Sequence, residues 1–385
     1  MNTRQQDTSG LTRREATRLL SMGVGLAVAA GCRKGAAPAT PTFAEGAVIR
    51  TVLDDVSPAA LGTGATLFHE HLQLSFGYYT SPPTATAARG TPPAPEDTER
   101  FLALVVEELR MAASDGVSCI VDAAIGRRST WELDNLKQMA TRAGVRVVVA
   151  GGYFKAPYPE AIAKMTEGEI TNHLTGDALA QRWGAFGEIG TSMETHPDER
   201  KFLRALSQAH QRTGLPIFTH TEHHGCASCG LEQLDLFESQ GVNPAHLCIG
   251  HLSDITQKED PHSETHKAIA RRGAFVGFDT VGRALGGAAP GTFGKLPADF
   301  PDIPDRDKAR RVLSLLDAGL EDRVLLSSDF SSAFDLKANW GGGFSSTVLN
   351  FVPKLRHAGV DEATIKKILV DNPRRFLAFV PPPSM

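Results

Sequence analysis

Short apolar runs alternate with longer segments of helical periodicity from residue 65 to the end of the chain. Most of these runs are too uniformly apolar for an antiparallel strand with one face in water, which favours a parallel sheet covered by helices. The eight strand candidates are Ala65–Phe68, Ser118–Val121, Arg146–Ala150, Ala185–Glu188, Pro216–Thr219, Leu247–Gly250, Ala274–Phe278 and Val324–Ser327.

Helix candidates fill the segments between these runs, and a glycine follows most of them before the next strand, as expected for a helix C-cap. We expect Asp97 to cap the first helix, whose apolar face lies between Leu102 and Leu109 at amphipathic spacing. The other helix candidates are 131–143, 198–213, 230–240, 262–272, 305–318, 345–358, 361–369 and 373–377.

Eight strands with intervening helices over about 320 residues predict a (β/α)8 TIM barrel. An open doubly wound sheet is the competing architecture, and it would carry a glycine-rich phosphate loop after its first strand. This chain has His69-Glu70-His71 at that position instead. The pattern therefore favours the barrel.

A basic and apolar leader precedes the barrel. Arg13 and Arg14 stand before the apolar segment Leu19–Ala30, which is typical of a signal peptide and similar to a twin-arginine export signal. The stretch that ends at Cys32 resembles a bacterial lipobox, so we expect lipidation of Cys32, with plain cleavage near Ala30 as the alternative.

The chain is predicted to have three parts. Residues 1–31 form the signal peptide, residues 32–48 form a flexible tether and residues 49–380 form the barrel domain. We therefore expect an exported protein of the bacterial cell envelope, in the periplasm or on the outer face, that meets the membrane only through a lipid anchor at Cys32.

The charge of the chain narrows the classes of ligand that the protein could bind. The formal net charge is −4 and the basic residues form no stripe, which argues against nucleic acid and leaves a small-molecule substrate.

Cys119 and Cys248 lie in apolar runs and are predicted to be buried thiols. Cys226 and Cys229 could form a disulfide or remain two free thiols, and the spacing allows both.

Ionisable side chains stand at the C-terminal ends of five strand candidates, the edge where barrel enzymes gather their chemistry. So many ionisable groups on one rim would be costly to bury unless cations paired them. Six ligands exceed the three that one catalytic zinc needs, and they divide between two metals about 3.5–4 Å apart. The six are His69, His71, Glu188, His220, His251 and Asp329.

Two further carboxylates follow other strands. Asp122 and Asp279 are candidates for hydrogen bonds to the ligands, or are simply the residues that begin loops. For Asp122 the loop interpretation is favoured.

The ligand motifs resemble the phosphotriesterase-like branch of the amidohydrolase superfamily. The similarity runs from residue 49 to residue 380. The matching segments are His69-Glu70-His71, Glu188, Thr219-His220-Thr221, Gly230-Leu231-Glu232-Gln233, Ile249-Gly250-His251, Ser328-Asp329 and Asn372-Pro373-Arg374-Arg375-Phe376.

This resemblance implies two divalent metal ions, most often Zn²⁺, with Mn²⁺, Co²⁺ or Fe²⁺ as alternatives. One metal would be held by His69, His71 and Asp329, and the other by His220 and His251. A hydroxide and one protein carboxylate would lie between them. Asp329 would also relay a proton, and the family is often homodimeric.

One position departs from the phosphotriesterases and the related lactonases, which use a carboxylated lysine as the bridging residue. This chain has Glu188 there, so it resembles the variant in which a glutamate bridges the metals directly. Glu188 and Asp329 are therefore the catalytic candidates.

The predicted function is a metal-dependent hydrolase in which the hydroxide attacks an ester, lactone, amide or phosphoester bond. The alternative is a substrate-binding or sensor lipoprotein on a barrel that has lost catalysis, and a decarboxylase or isomerase is a third candidate. Side chains expected to line the substrate pocket are Tyr153, Phe154, Arg283 and Trp340.

Overall fold

The computed structural model of the chain describes residues 41–72, 95–123, 126–222, 226–283, 303–331, 335–339 and 341–383. The predicted signal peptide, Cys32 and Trp340 lie outside these residues. Among the helices that can be described, we find none with the length and apolar character needed to cross a bilayer.

Eight parallel strands form one sheet in chain order, with helices on its outer face, which confirms the predicted (β/α)8 barrel. Each of the eight strand candidates forms one of these strands, and two short antiparallel strands precede them. The strands are β1 Ile49–Arg50, β2 Asp55–Val56, β3 Ala65–Glu70, β4 Val117–Asp122, β5 Arg146–Gly151, β6 Ala185–Gly190, β7 Ile217–His220, β8 Leu247–Ile249, β9 Phe275–Phe278 and β10 Val324–Leu326.

The barrel closes where the chain segments after β3 and β10 meet. The amide of Asp329 donates to the carbonyl of His69 at 3.2 Å, and the amide of His71 donates to the carbonyl of Phe330 at 2.8 Å. The first and last strands of the barrel are therefore joined at the rim where the predicted ligands lie.

The α-helices follow the sequence expectation with three differences. The first helix begins at Pro95, so the prediction that Asp97 caps it is wrong and Asp97 lies in its first turn. The segments 345–358 and 361–369 each combine an α-helix with a π-helical turn, at Thr347–Phe351 and Lys367–Asp371. The α-helices are α1 Pro95–Ser114, α2 Thr130–Ala143, α3 Glu160–Ala163, α4 Glu167–Ala180, α5 Pro197–Thr213, α6 Cys229–Ser239, α7 Glu264–Arg271, α8 Asp305–Asp317, α9 Val352–His357, α10 Glu362–Lys366 and α11 Asn372–Leu377.

The third difference is that the four-residue helix α3 and the longer helix α4 are both absent from the sequence-based assignment. Gly168 and Gly176 lie inside α4 and weaken its helical pattern. A signal was nevertheless present, because Thr166 and Glu169 form a reciprocal capping box at its start. A search for capping boxes would have found this helix.

Two apolar layers surround the strands. Alternating residues point inward and outward, so Phe68 and Phe218 pack inside the barrel, whereas Leu67 and Ile217 pack between the sheet and the helices. The inner layer continues to Phe376 at the end opposite the predicted site, where its ring lies 5.6 Å from that of Phe275. Apolar side chains therefore pack at the end of the barrel opposite the predicted site.

Asp260 links stability to pH. Its carboxylate accepts the amides of Glu264 at 2.8 Å and Thr265 at 3.0 Å, and lies 3.3 Å from Nδ1 of His266. Burial opposes ionisation, but these hydrogen bonds hold the pKa of Asp260 well below its usual range. A carboxyl whose pKa is lowered by folding stabilises the fold above its unfolded pKa of about 4, and this contribution declines as the pH falls toward the folded value.

We therefore expect Asp260→Asn to lower the free energy of unfolding by about 1–3 kcal/mol at pH 7, and by progressively less below about pH 4. Urea unfolding at pH 7, 5 and 3.5 measures the difference. The exposed Asp134→Asn is the matched control. A loss from Asp260→Asn that is the same at pH 7 and pH 3.5 would contradict this linkage.

Candidate metal centre

The end of β3 carries the first two candidate ligands and departs from regular strand geometry. The pairing of β3 with β4 shifts register between Leu67 and Glu70. The rings of Phe68 and His69 both approach Phe218, with centroid distances of 6.3 and 5.3 Å, so two consecutive side chains face the barrel interior. This irregularity brings His69 inward next to an inward Phe68, which strict alternation does not allow.

Four of the predicted ligands meet at the C-terminal rim. Nε2 of His69 lies 3.1 Å from Oε2 of Glu188 and 3.6 Å from Oδ1 of Asp329. Nε2 of His71 lies 3.1 Å from the same Asp329 oxygen and 3.6 Å from Oε1 of Glu188. The two carboxylates therefore each face both histidines.

The remaining two histidines lie next to Glu188 and to each other. Nε2 of His220 is 3.9 Å from Oε2 of Glu188, and the rings of His220 and His251 stack with centroids 3.6 Å apart. The ring of His251 is also 5.4 Å from that of His69. All six predicted ligands are thus adjacent in one cluster.

Two groups within the cluster have the compactness of a metal site. One comprises His69, His71 and Asp329, and the other comprises His69, Glu188 and His251, with the ligand atoms of each group within 4.8 Å of one another. The groups share His69, whose Nε2 can bind only one cation, so they are overlapping sets of candidate ligands within one cluster.

The histidine rings are oriented as metal ligands require. Nδ1 of His69 lies 3.2 Å from Asp279, Nδ1 of His251 lies 3.1 Å from Asp254, and Nδ1 of His220 contacts the carbonyl of the next residue. A carboxylate or carbonyl can only accept, so each Nδ1 carries the proton and Nε2 keeps its lone pair. The buried Nε2 of His69 faces the carboxylate oxygens of Glu188 and Asp329 at 3.1 and 3.6 Å, which fits a metal ligand beside two anionic ligands.

Backbone strain occurs at two of the candidate ligands. His251 and Asp329 have φ angles of 54° and 48°, in the left-handed region that residues other than glycine rarely adopt. Next to Glu188, Gly187 has a φ of 154°, and a Cβ there would come within 2.3 Å of the Phe218 ring. Only glycine fits at that position, which sets the path of the backbone that carries Glu188.

Charges within the cluster compensate each other. Burial disfavours a charged His69, but Glu188 and Asp279 outweigh it and hold the pKa of His69 well above its usual value. Burial is likewise outweighed at His251, where Asp279 is the main group that raises the pKa to about 9. Burial also opposes ionisation of Asp329, yet the neighbouring histidines lower its pKa. The buried carboxylates thus require positive charge, which protons or metal cations can supply.

The two additional carboxylates have different roles. Asp279 accepts from Nδ1 of His69 and also from the amide of His251 at 2.8 Å, so it orients two candidate ligands. Asp122 instead accepts the amide of Leu72 at 2.7 Å and contacts the Arg128 guanidinium. Asp122 therefore holds the loops that follow β3 and β4.

Two of the expected pocket residues lie at the cluster. The ring of Phe154 packs edge-on against His220 with a centroid distance of 4.8 Å. Arg283 places Nη1 3.3 Å from Oδ2 of Asp329 and Nη2 3.2 Å from Asp335. An aromatic ring thus borders one side of the cluster and a guanidinium borders the other.

Tyr153 turns toward the outer helices instead. Its hydroxyl lies 3.0 Å from Nε2 of His173 on α4, and its ring lies 6.1 Å from Phe202 on α5. Of these two neighbouring aromatic residues, Phe154 contacts the histidines and Tyr153 contacts the outer helices.

An ion pair and a disulfide involve the segment that follows β7. Lys155 and Glu222 form an ion pair at 2.8 Å beside Phe154. Cys226 and Cys229 form a disulfide, which resolves the alternative that the spacing left open. Cys119 and Cys248 are buried free thiols, as predicted.

Sequence comparison places this site among known proteins. Residues 47–377 match the model of the Phosphotriesterase family. The chain is 29% identical over 322 residues to the Phosphotriesterase homology protein of Escherichia coli (strain K12), which covers 82% of this chain and 98% of that protein. It is also 29% identical over 364 residues to the N-acetyltaurine hydrolase of Danio rerio, which covers 86% of this chain and 98% of that protein.

A solved structure agrees with this relationship. A resiniferatoxin-binding protein from Rhodobacter sphaeroides superposes with a TM-score of 0.70 at 29% identity, covering 86% of this chain and 94% of that protein. The family match includes every strand of the barrel and all six clustered residues. This chain therefore belongs to the phosphotriesterase family.

Proposed function

We propose that this protein is a metal-dependent hydrolase that acts on an ester, lactone, amide or phosphoester bond. The observation that carries the proposal is the compact cluster of candidate ligands, in which His69, His71 and Asp329 form one group and the ligand atoms of Glu188 and His251 lie within 4.8 Å of that of His69. Two divalent cations bound there would acidify a water molecule and polarise the bond under attack. Zinc is the first choice because imidazole and carboxylate are its ordinary ligands, with Mn²⁺, Co²⁺ or Fe²⁺ as alternatives.

Glu188 and Asp329 have distinct proposed roles. Glu188 directs Oε1 to His71 at 3.6 Å and Oε2 toward His220 at 3.9 Å, one histidine from each predicted ligand set, so its two oxygens could serve neighbouring cation positions. Asp329 directs Oδ1 to the histidines and Oδ2 to Arg283. We infer that Asp329 would hold a cation and could accept a proton from a water molecule that attacks the substrate, while Arg283 holds its second oxygen in place.

Relatives guide the choice of the first substrate. Several curated relatives are N-acetyltaurine hydrolases, with 26% to 29% identity and 98% of their length covered. This similarity supports an amide among the bonds to be tested, with N-acetyltaurine as the first compound. Phe154 beside His220 supplies an apolar surface for the acyl group of such a substrate.

Metal removal tests the proposal. We expect about two divalent metals per chain in protein purified without chelator, loss of at least about 10²-fold in hydrolysis after dialysis against chelator, and recovery on adding Zn²⁺. Elemental analysis and a panel of N-acetyltaurine, lactones, carboxylic esters and phosphoesters measure these outcomes. Metal binding without turnover of any panel member would favour the substrate-binding alternative, and fewer than about one metal per chain would refute the centre.

A further inference from the structure

Glu70 is the residue between the two histidines of β3, and no role was expected for it from the sequence. It is fully buried. Its Oε1 accepts the Ser327 hydroxyl at 2.7 Å and the Ser328 amide at 2.9 Å, and its Oε2 accepts the Phe330 amide at 2.6 Å. One carboxylate therefore binds three donors of the segment after β10.

Two of these contacts are made by the residues on either side of Asp329 in the chain. The amides of Ser328 and Phe330 are those immediately before and after it, and both donate to Glu70. Asp329 itself has a left-handed φ of 48°, a strained conformation for a residue other than glycine that the surrounding structure must hold. Fixing both neighbouring amides limits the rotation of the peptide planes on either side of Asp329.

The same contacts join β3 to the segment that follows β10. Glu70 belongs to β3, and the segment that it binds follows β10, so the carboxylate spans the closure of the barrel. The direct backbone bonds there, from Asp329 to His69 and from His71 to Phe330, lie on either side of it. A shift at this closure would move Asp329 relative to both histidines.

We propose that Glu70 is a positioning residue that holds Asp329 in place to complete the metal site with His69 and His71. The inference rests on the proposed metal-dependent function. The carboxylate of Glu70 binds the Ser327 hydroxyl and the amides on either side of Asp329, so it acts through the geometry of Asp329. Partners that orient a metal ligand typically change metal affinity by about 10–100-fold when they are lost.

Glu70→Gln tests the proposal because a glutamine has one acceptor oxygen and would direct an N–H₂ group at one of the three donors. We expect Zn²⁺ affinity, measured by competition with a chromogenic chelator, to weaken by at least about tenfold. The absorption spectrum of the Co²⁺-loaded protein should also change, because the ligand geometry at Asp329 changes.

Glu108→Gln is the matched control. Glu108 is also buried, and its two oxygens accept the amides of Lys337 at 3.0 Å and Ala338 at 2.8 Å, away from the cluster. Both variants lose a buried carboxylate that binds backbone amides, so both are expected to be less stable. Only Glu70→Gln is expected to lose metal affinity, and equal affinities in the two folded variants would overturn the proposal.

A milder variant covers the case in which Glu70→Gln does not fold. Glu70→Asp keeps the negative charge but shortens the side chain, so that it cannot reach all three donors, and we expect Zn²⁺ affinity to fall about threefold or more, less than for the complete loss of such a partner. Unchanged affinity in that variant would also overturn the proposal. A wild-type protein that binds no Zn²⁺ would instead refute the metal-dependent function itself.

Discussion

Asp329→Asn is expected to lower kcat/KM for the hydrolysed substrate by at least about 10²-fold. Asparagine keeps the shape of the side chain but removes the negative charge that faces His69 and His71 at 3.6 and 3.1 Å. It can no longer accept a proton from the attacking water. The cation position bounded by these three residues would lose its only anionic ligand among them.

The same charge change elsewhere provides the control for this variant. Asp322 precedes β10 and lies at the opposite end of that strand, where it pairs with Arg375 and Lys367. Asp322→Asn is expected to leave kcat/KM within about twofold of wild type, since surface ion pairs contribute little. Steady-state kinetics on the best panel substrate measure both, and an active Asp329→Asn would refute the assigned role of Asp329.

Glu188→Gln is expected to reduce the bound metal from about two ions per chain to one or fewer, and to lower activity by at least about 10²-fold. A bridging ligand must present two anionic oxygens, and the amide presents one neutral oxygen and an N–H₂ donor. Nε2 of His69, 3.1 Å from Oε2 of Glu188, would then face either an amide donor or a weaker acceptor. Loss of the bridge therefore affects both cation positions.

Metal content by elemental analysis and thermal stabilisation by added Zn²⁺ report this loss without a substrate. Glu108→Gln again serves as the control for removing a buried carboxylate, because its partners are backbone amides away from the cluster. Two metals per chain in Glu188→Gln would show that Glu188 does not bridge. Activity that persists with one metal would point to a mononuclear enzyme.

Much of the barrel could be predicted because it depends on local pattern. Uniformly apolar runs such as Val147–Val149 can only be buried strands in a chain of this composition, and glycines such as Gly144 and Gly214 end helices with positive φ angles of 71° and 73°. Helix α4 was missed because its internal glycines obscure the period, although its capping box was visible.

The cluster could also be predicted from the order of the strands, but its exact geometry depends on how two of the strands pair. Parallel strands bring their C-terminal ends to one rim, so residues at strand ends, such as His220 and Asp329, could be assigned to it without coordinates. The inward turn of His69 beside Phe68 depends on a register shift between neighbouring strands. A pairing irregularity involves two chain segments distant in sequence, and the pattern of one strand does not contain it.

The sequence by itself determined the barrel, the identity of six candidate ligands and the rim on which they lie, because these follow from periodicity and from the order of the strands. The tertiary structure decided which side chains and backbone groups hold these ligands in place. Glu70 appeared as the middle residue of a motif, and its contacts with Ser327, Ser328 and Phe330 span more than 250 residues of sequence. The disulfide between Cys226 and Cys229 and the outward turn of Tyr153 were likewise decided by distances and directions in space. Such contacts depend on backbone position to a fraction of an ångström, and only the packed chain sets that.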